Sequence, residues 1–178
     1  MRSMPKLRFD GGKRNTIRAG WDRLSGLPGG KRLFSRMAGM AAPYTGSIGA
    51  QVTELRVGHA EVTLADRRAV RNHLACVHAV ALINLGELCG NMAVAYSLPD
   101  DARFIVAGIE ADYLKKARGT LTATSDCPVP ASSARREFEV PVSIRDASGA
   151  EVARAVLRSL VGPKPKAGMS GPDATSVN

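Results

Sequence analysis

The chain has 178 residues, the size of one domain with a tail or two, and a domain of roughly 150 residues buries about 70% of its unfolded surface without a disulfide or metal staple. Its three cysteines, Cys76, Cys89 and Cys127, are odd in number and lack metal-ligand spacing, a pattern of reduced, packed thiols in an intracellular protein. No basic start leads into an apolar run of about 7–15 residues, which argues against a signal peptide and for the cytoplasm.

The net charge of +9 belongs to one end of the chain. Residues 1–36 carry ten Lys/Arg against Asp10 and Asp22, so the remaining 142 residues are close to neutral. Such an arm could meet nucleic acid, an anionic membrane surface or a phosphate-bearing ligand, or simply be solvated. Aromatics make up only 4% of the chain and do not interleave with the basic residues, which argues against a stacking surface for nucleic acid.

Taken in order, residues 1–14 read as a disordered basic arm and the segment from 163 to 178 as a disordered tail, leaving a single domain over 15–162. Ile17, Trp21, Leu24 and Leu27 fall at helical spacing before Pro28-Gly29-Gly30. A second short helix follows over 31–42, with Leu33, Phe34, Met37 and Met40 as its apolar stripe and Pro43 as its stop. Ile48–Val57 and Ala60–Leu64 alternate as strands about the Gly58-His59 turn. Four further strands are predicted at Phe104–Lys116, Thr120–Ser125, Arg136–Arg145 and Glu151–Val161, with Gly119 and Ala147-Ser148-Gly149 as turns between neighbours.

Between these two groups of strands, residues 77–95 are almost wholly apolar and point to every side of a helical wheel, the signature of a buried helix. At about 20 residues it could span a bilayer, but Asn84, Glu87 and Asn91 argue against lipid. A single helix apolar on all sides needs a curved sheet around it. The expected fold class is therefore α+β: a long central helix wrapped by a curved antiparallel sheet, with two short helices at the N-terminus.

Glu87 is the residue this arrangement must explain. A carboxylate inside such a helix must be paired, hydrogen-bonded or protonated, and perturbed carboxylates concentrate at functional sites. The structural alternative is a Glu satisfied by an arginine such as Arg71. Asn72 and His78 precede or open the same helix, where backbone N–H groups lack partners and favour negative charge. His78 and Glu87 stand nine residues apart, about 13 Å along a helix. They cannot act on one atom within one chain, so if both are functional the site joins two copies. Otherwise His78 caps or packs.

Asn72, Ala75, His78-Ala79-Val80 and then Glu87 resemble N-x-x-G-x-x-H-G-G-x6-D/E, the signature of hotdog-fold acyl-CoA thioesterases of the phenylacetate-pathway type. The later run YLKKARGTLTAT resembles that family's strand F/Y-L-x-P-A-x-x-G-x-L-x-A. The likeness covers roughly Tyr44 to Val161 and is closest to a subgroup known only as a domain of unknown function. It implies a hotdog dimer or tetramer with sites at the dimer interface, acting on acyl-CoA or another acyl thioester, with no cofactor and no metal. Glu87 would be the nucleophile or general base, the Ala79 N–H of the other copy the oxyanion donor, Asn72 the holder of water or carboxylate, and His78 a loop support.

His73, Tyr113, Lys115, Lys116 and Arg118 would contact substrate. The three basic residues would reach a CoA phosphate, or else form a solvated strand end. The family's glycines are Ala75, Ala79 and Val80 here, which makes for a tighter, more apolar pocket, and Lys116 stands where many relatives have proline. A non-catalytic acyl-CoA or lipid-binding hotdog protein is the alternative. The His73-to-Glu87 spacing is also similar to that of hotdog hydroxyacyl dehydratases, whose proline- and glycine-rich loop is absent.

Overall fold

The computed structural model describes residues 14–165; residues 1–13 of the predicted arm, and the predicted tail from residue 166 on, lie outside the described residues. Pro163, expected to open that tail, ends the last strand. Helices α1 (Thr16–Leu24), α2 (Gly30–Ala41) and α3 (Pro43–Gly46) precede β1 (Gln51–Arg56) and β2 (His59–Leu64). The central helix α4 (Ala79–Ser97) follows, and then β3 (Ala102–Tyr113), β4 (Leu121–Asp126), β5 (Arg136–Arg145) and β6 (Glu151–Pro163).

The six strands form one antiparallel sheet in the order β1-β2-β4-β5-β6-β3. It wraps α4, the hotdog arrangement. The alternating residues of each strand explain the wrap: Ala60, Val62 and Leu64 of β2, Leu121 and Ala123 of β4, Val140, Val142 and Ile144 of β5, and Leu157 and Val161 of β6 are all buried. Gly86 and Gly90 let α4 sit close to the sheet. A Cβ on Gly90 would come within 3.0 Å of Leu157 and 3.2 Å of Val140. Cys89 is fully buried on the same helix, 3.4 Å from the Ala123 carbonyl.

Several expectations change. Gly119 does not join neighbouring strands: β3 pairs with β6 and β4 pairs with β2, so the chain crosses the sheet between them. A turn glycine marks a change of direction but carries no information about the strand that receives the chain. Leu27 lies beyond α1 and is 56% exposed, while β1 starts only after Gly49, whose φ of +63° forms a turn. In α2 the buried face is Phe34 and Ala38; Leu33 and Met40 point outward. The reason is Trp21, whose ring meets Phe34 edge-on at 5.2 Å and fixes which face of α2 turns inward.

α4 is also not buried all round. Val80 is exposed and Ile83, Glu87, Leu88 and Asn91 are half-buried, which leaves one open face along the helix. The long apolar helix meets the length and composition of a membrane span, but most of it is enclosed by the fold.

The N-terminal helices are fastened to the ends and edge of this core. Asn15 caps α1 through its side-chain oxygen, which accepts from the Arg18 N–H at 3.0 Å, and its amide donates to the Ala95 carbonyl at 2.6 Å. Arg18 donates to the Tyr96 and Leu98 carbonyls, so the C-terminal carbonyls of α4 find their partners in α1. Asn84, buried on α4, donates to the Tyr44 carbonyl and holds α3 against the helix. The outer edge of β1 is covered by α2, whose Ser35 Oγ accepts from the Val52 N–H and whose Lys31 Nζ donates to the Thr53 carbonyl. β3, at the other edge, has no such cover among the described residues.

Candidate functional site

The loop entering α4 is tightly determined. A short helical turn at Arg68–Val70 leads to Arg71, which bridges to Val77, while the His78 N–H donates to the Val70 carbonyl at 2.8 Å. Asn72 folds the intervening residues around itself: its Oδ1 accepts from the Leu74 N–H at 2.9 Å and lies 3.3 Å from the Cys76 thiol. Ala75 closes this loop with a φ of +52°. That left-handed conformation suits glycine and costs an L-residue about 1–2 kcal/mol. The glycine of the family motif thus answers a backbone need at this position, and the chain meets it with alanine.

His78 is the N-cap of α4: its Nδ1 accepts from the Val80 N–H at 3.1 Å. Its ring is thereby committed to the helix end, the capping role. Ala79 is the first helical residue, and its N–H has no acceptor among the described residues. An unclaimed N–H at the positive end of a 19-residue helix is a ready donor to an oxyanion.

The structure draws five of the predicted residues together. Asn72, Ala79, Tyr113, Lys115 and Lys116 line one groove of about 250 Å³. Tyr113 Oη donates to the Ala79 carbonyl at 3.3 Å and ties the end of β3 to the helix start. Cys76, Val77, Leu82, Leu114 and Ala117 complete the walls. His73 and Arg118 are exposed and do not line the groove.

Glu87 lies away from this groove, half-buried on the open face of α4. Its Oε1 lies 3.5 Å from Asn91 Nδ2. The expected interior carboxylate is therefore corrected to one on a face that the sheet leaves uncovered. Arg71 is not its partner either: Arg71 Nε meets Asp66 Oδ1 at 2.6 Å.

Asp66 is the residue that sequence reasoning missed. Its side chain is 8% exposed, and its second oxygen accepts from the Gly119 N–H at 2.9 Å. One carboxylate thus clamps the Arg71 loop to the β3–β4 connection, and the Val77 N–H bond to the Ala117 carbonyl at 2.9 Å adds a second tie. The hydrogen bond from Arg71 holds the Asp66 carboxyl below its ordinary range. In sequence, Asp66 beside Arg67 and Arg68 reads as one more solvated charge; only the crossover brings Gly119 to it.

Two thiols are set aside as nucleophiles by their surroundings. Burial pushes Cys127 up to about 11 and Cys89 higher still, so both stay protonated at neutral pH. Among the described residues no cluster of three or more His, Cys, Asp or Glu is placed to hold a metal ion.

Comparison with known proteins agrees with this architecture. A structural-genomics protein, APC5556, superposes with a TM-score of 0.72 at 34% identity, covering 83% of this chain and 98% of its own. A thioesterase from Haemophilus influenzae superposes with a TM-score of 0.64 at 16% identity, covering 78% of this chain and 92% of that one. A thioesterase family protein from Silicibacter pomeroyi gives 0.63 at 15% identity, covering 72% and 96%. These last two establish the fold. Among curated proteins none matches. A family profile described as "Domain of unknown function (DUF4442)" matches residues 30–161, most of the chain and nearly all of the core, and the chain belongs to that family.

Proposed function

We propose that this protein hydrolyses acyl thioesters, acyl-CoA foremost, at a site shared between two copies of the chain in the cytoplasm. The observation that carries the reading is the unclaimed Ala79 N–H at the mouth of a formed groove, on the same helix as a half-open carboxylate. The thioesterases of like fold and the spacing of Asn72, His78 and Glu87 support it.

Eight residues separate Ala79 from Glu87, about 12 Å of helix, so one chain does not bring them to one carbonyl. A second copy added at the open edge of β3 would set the helix start of one chain against the open face of the other. Glu87 then takes a proton from water as the water oxygen attacks the thioester carbon, or attacks that carbon itself to form an anhydride that water hydrolyses after the thiol has left, freeing the acid and the carboxylate. The carbonyl oxygen becomes an oxyanion held by the partner copy's helix-start N–H, and collapse breaks the C–S bond, the thiolate leaving with a proton. Asn72 Oδ1 is already used within its loop; its Nδ2 is the atom left to hold water or substrate. Lys115 and Lys116 on the groove, with Arg118 nearby, meet the CoA phosphates.

Thiol release from short, long and aromatic acyl-CoAs tests this, with wild type beside Glu87→Gln. A fall in kcat of about 10²–10⁴, with folding and acyl-CoA affinity kept, is the expected result. Binding without release by the wild type would leave a non-catalytic acyl-CoA carrier.

A further inference from the structure

A second cavity, of about 750 Å³, lies farther along α4 at Leu88, between α2, α3 and β1. Small-molecule sites typically enclose roughly 300–1,000 Å³. α2 and α3 meet backbone to backbone beside it: a Cβ on Gly46 would fall 2.5 Å from the Gly39 carbonyl oxygen. Small residues therefore make much of the wall, and Met40, Val52 and Leu88 supply apolar surface.

Two guanidiniums line this otherwise modest cavity. Arg32 and Arg36 are one helical turn apart on α2, both exposed, and neither has a hydrogen-bond or ion-pair partner among the described residues. Some arginines of the fold are engaged, Arg67 by the Ile48 carbonyl, Arg71 by Asp66, Arg154 by Asp112 and Arg158 by Glu137, while Arg23, Arg68, Arg103 and Arg135 have no such bond among the described residues. What sets Arg32 and Arg36 apart is that both line one cavity. No carboxylate is available nearby in sequence either, since the chain has no Asp or Glu between Asp22 and Glu54. Residues four apart on a helix stand about 5–6 Å from one another, and a guanidinium fork matches a carboxylate in bidentate fashion.

We propose that this cavity receives the acyl portion of the substrate and that Arg32 and Arg36 bind a carboxylate at its far end, which makes the substrate class an ω-carboxyacyl, or dicarboxylic, thioester. The inference rests on the thioesterase reading. Leu88 is the residue of α4 on this cavity and neighbours Glu87 in the chain, although Glu87 itself does not line it. The acyl chain would run past Glu87 into the cavity, while the phosphate end of CoA is drawn to Lys115 and Lys116 at the separate groove. A plain alkyl chain would use the apolar wall and leave both guanidiniums without a counter-ion.

Adipoyl-CoA and hexanoyl-CoA differ only in a terminal carboxylate, as do suberoyl-CoA and octanoyl-CoA. Calorimetric binding of each pair to the full-length Glu87→Gln protein is the test, repeated with Arg32→Gln and Arg36→Gln added. At least tenfold tighter binding of the dicarboxylic member, abolished by the two arginine substitutions, is expected. Equal binding within each pair overturns the proposal. So does an arginine effect of the same size on both members, which would place CoA phosphates on the pair instead. Thiol release by the wild type from the same thioesters separates the two claims: a binding preference with no release keeps the site and removes the hydrolase, and release with no preference does the reverse.

Discussion

The two halves of the candidate site are built differently. At the start of α4 the polar groups are already engaged. Asn72 gathers its loop, His78 caps the helix, Tyr113 braces Ala79, and Asp66 locks the loop to the far side of the crossover. The Ala79 N–H is left unclaimed among them. Two turns along the same helix, Glu87 has one long contact to Asn91 on a face the sheet leaves uncovered. The rigid half suits an oxyanion hole, whose donor must be in place before charge develops. The open half suits a carboxylate that a second copy completes. In the proposed site, one helix carries both halves while making neither whole.

The strongest way to break this comparison is to disable each half separately. Ala79→Pro removes only the unclaimed N–H, because proline is well suited to the first helical position and the preceding His78 is already extended. The expected result is an unchanged melting temperature with kcat lowered about 10²–10³-fold, the worth of one oxyanion donor. Co-expressing Ala79→Pro with Glu87→Gln should then restore activity, since a mixed dimer contains one site with neither substitution. Mixed dimers as inactive as their parents would show that the two residues do not meet across copies.

Smaller effects test the rigid half alone. Asn72→Ala should cost about 1–3 kcal/mol in denaturant unfolding, since it strips the acceptor from the Leu74 N–H and from the Cys76 N–H and thiol. Ala75→Gly should raise stability by about 0.5–1 kcal/mol, the left-handed strain relieved less the added entropy of glycine. If it lowers stability, the loop does not hold the conformation that its φ of +52° describes.

The least effect should come from pH. The Asp66 carboxyl is depressed by Arg71, so its contribution is fully present above the unfolded value of about 4 and is lost as pH falls through the lower folded value. Acid melts of wild type and Asp66→Asn should therefore converge below about pH 4. Curves that stay parallel would remove Asp66 as the clamp.

Much of this was open to reading along the chain. The alternation of β5 and β6, the apolar run of α4, and the Asn72–His78–Glu87 spacing are all periodic or local patterns, and each appears in the fold where the pattern puts it. His78 as a cap follows from its place just ahead of the first helical residue. The separation of Glu87 from the helix start was also legible, because it follows from helix rise alone.

The remainder depends on contacts between distant parts of the chain. Whether Leu33 or Phe34 turns inward on α2 depends on Trp21, and whether Glu87 is enclosed depends on how far the sheet reaches around α4. The partner of Arg71 is decided by loop closure, and that of β3 by the crossover past Gly119. Sequence alone determined most of the elements, the alternation of the strands and the spacing of the motif, since backbone propensity and side-chain period act over a few residues; α3 and the inward face of α2 it did not. Tertiary structure alone decided the strand order, the Asp66 clamp and the open face of α4. Those are set by which surfaces compete to be buried, a competition among residues far apart in the chain.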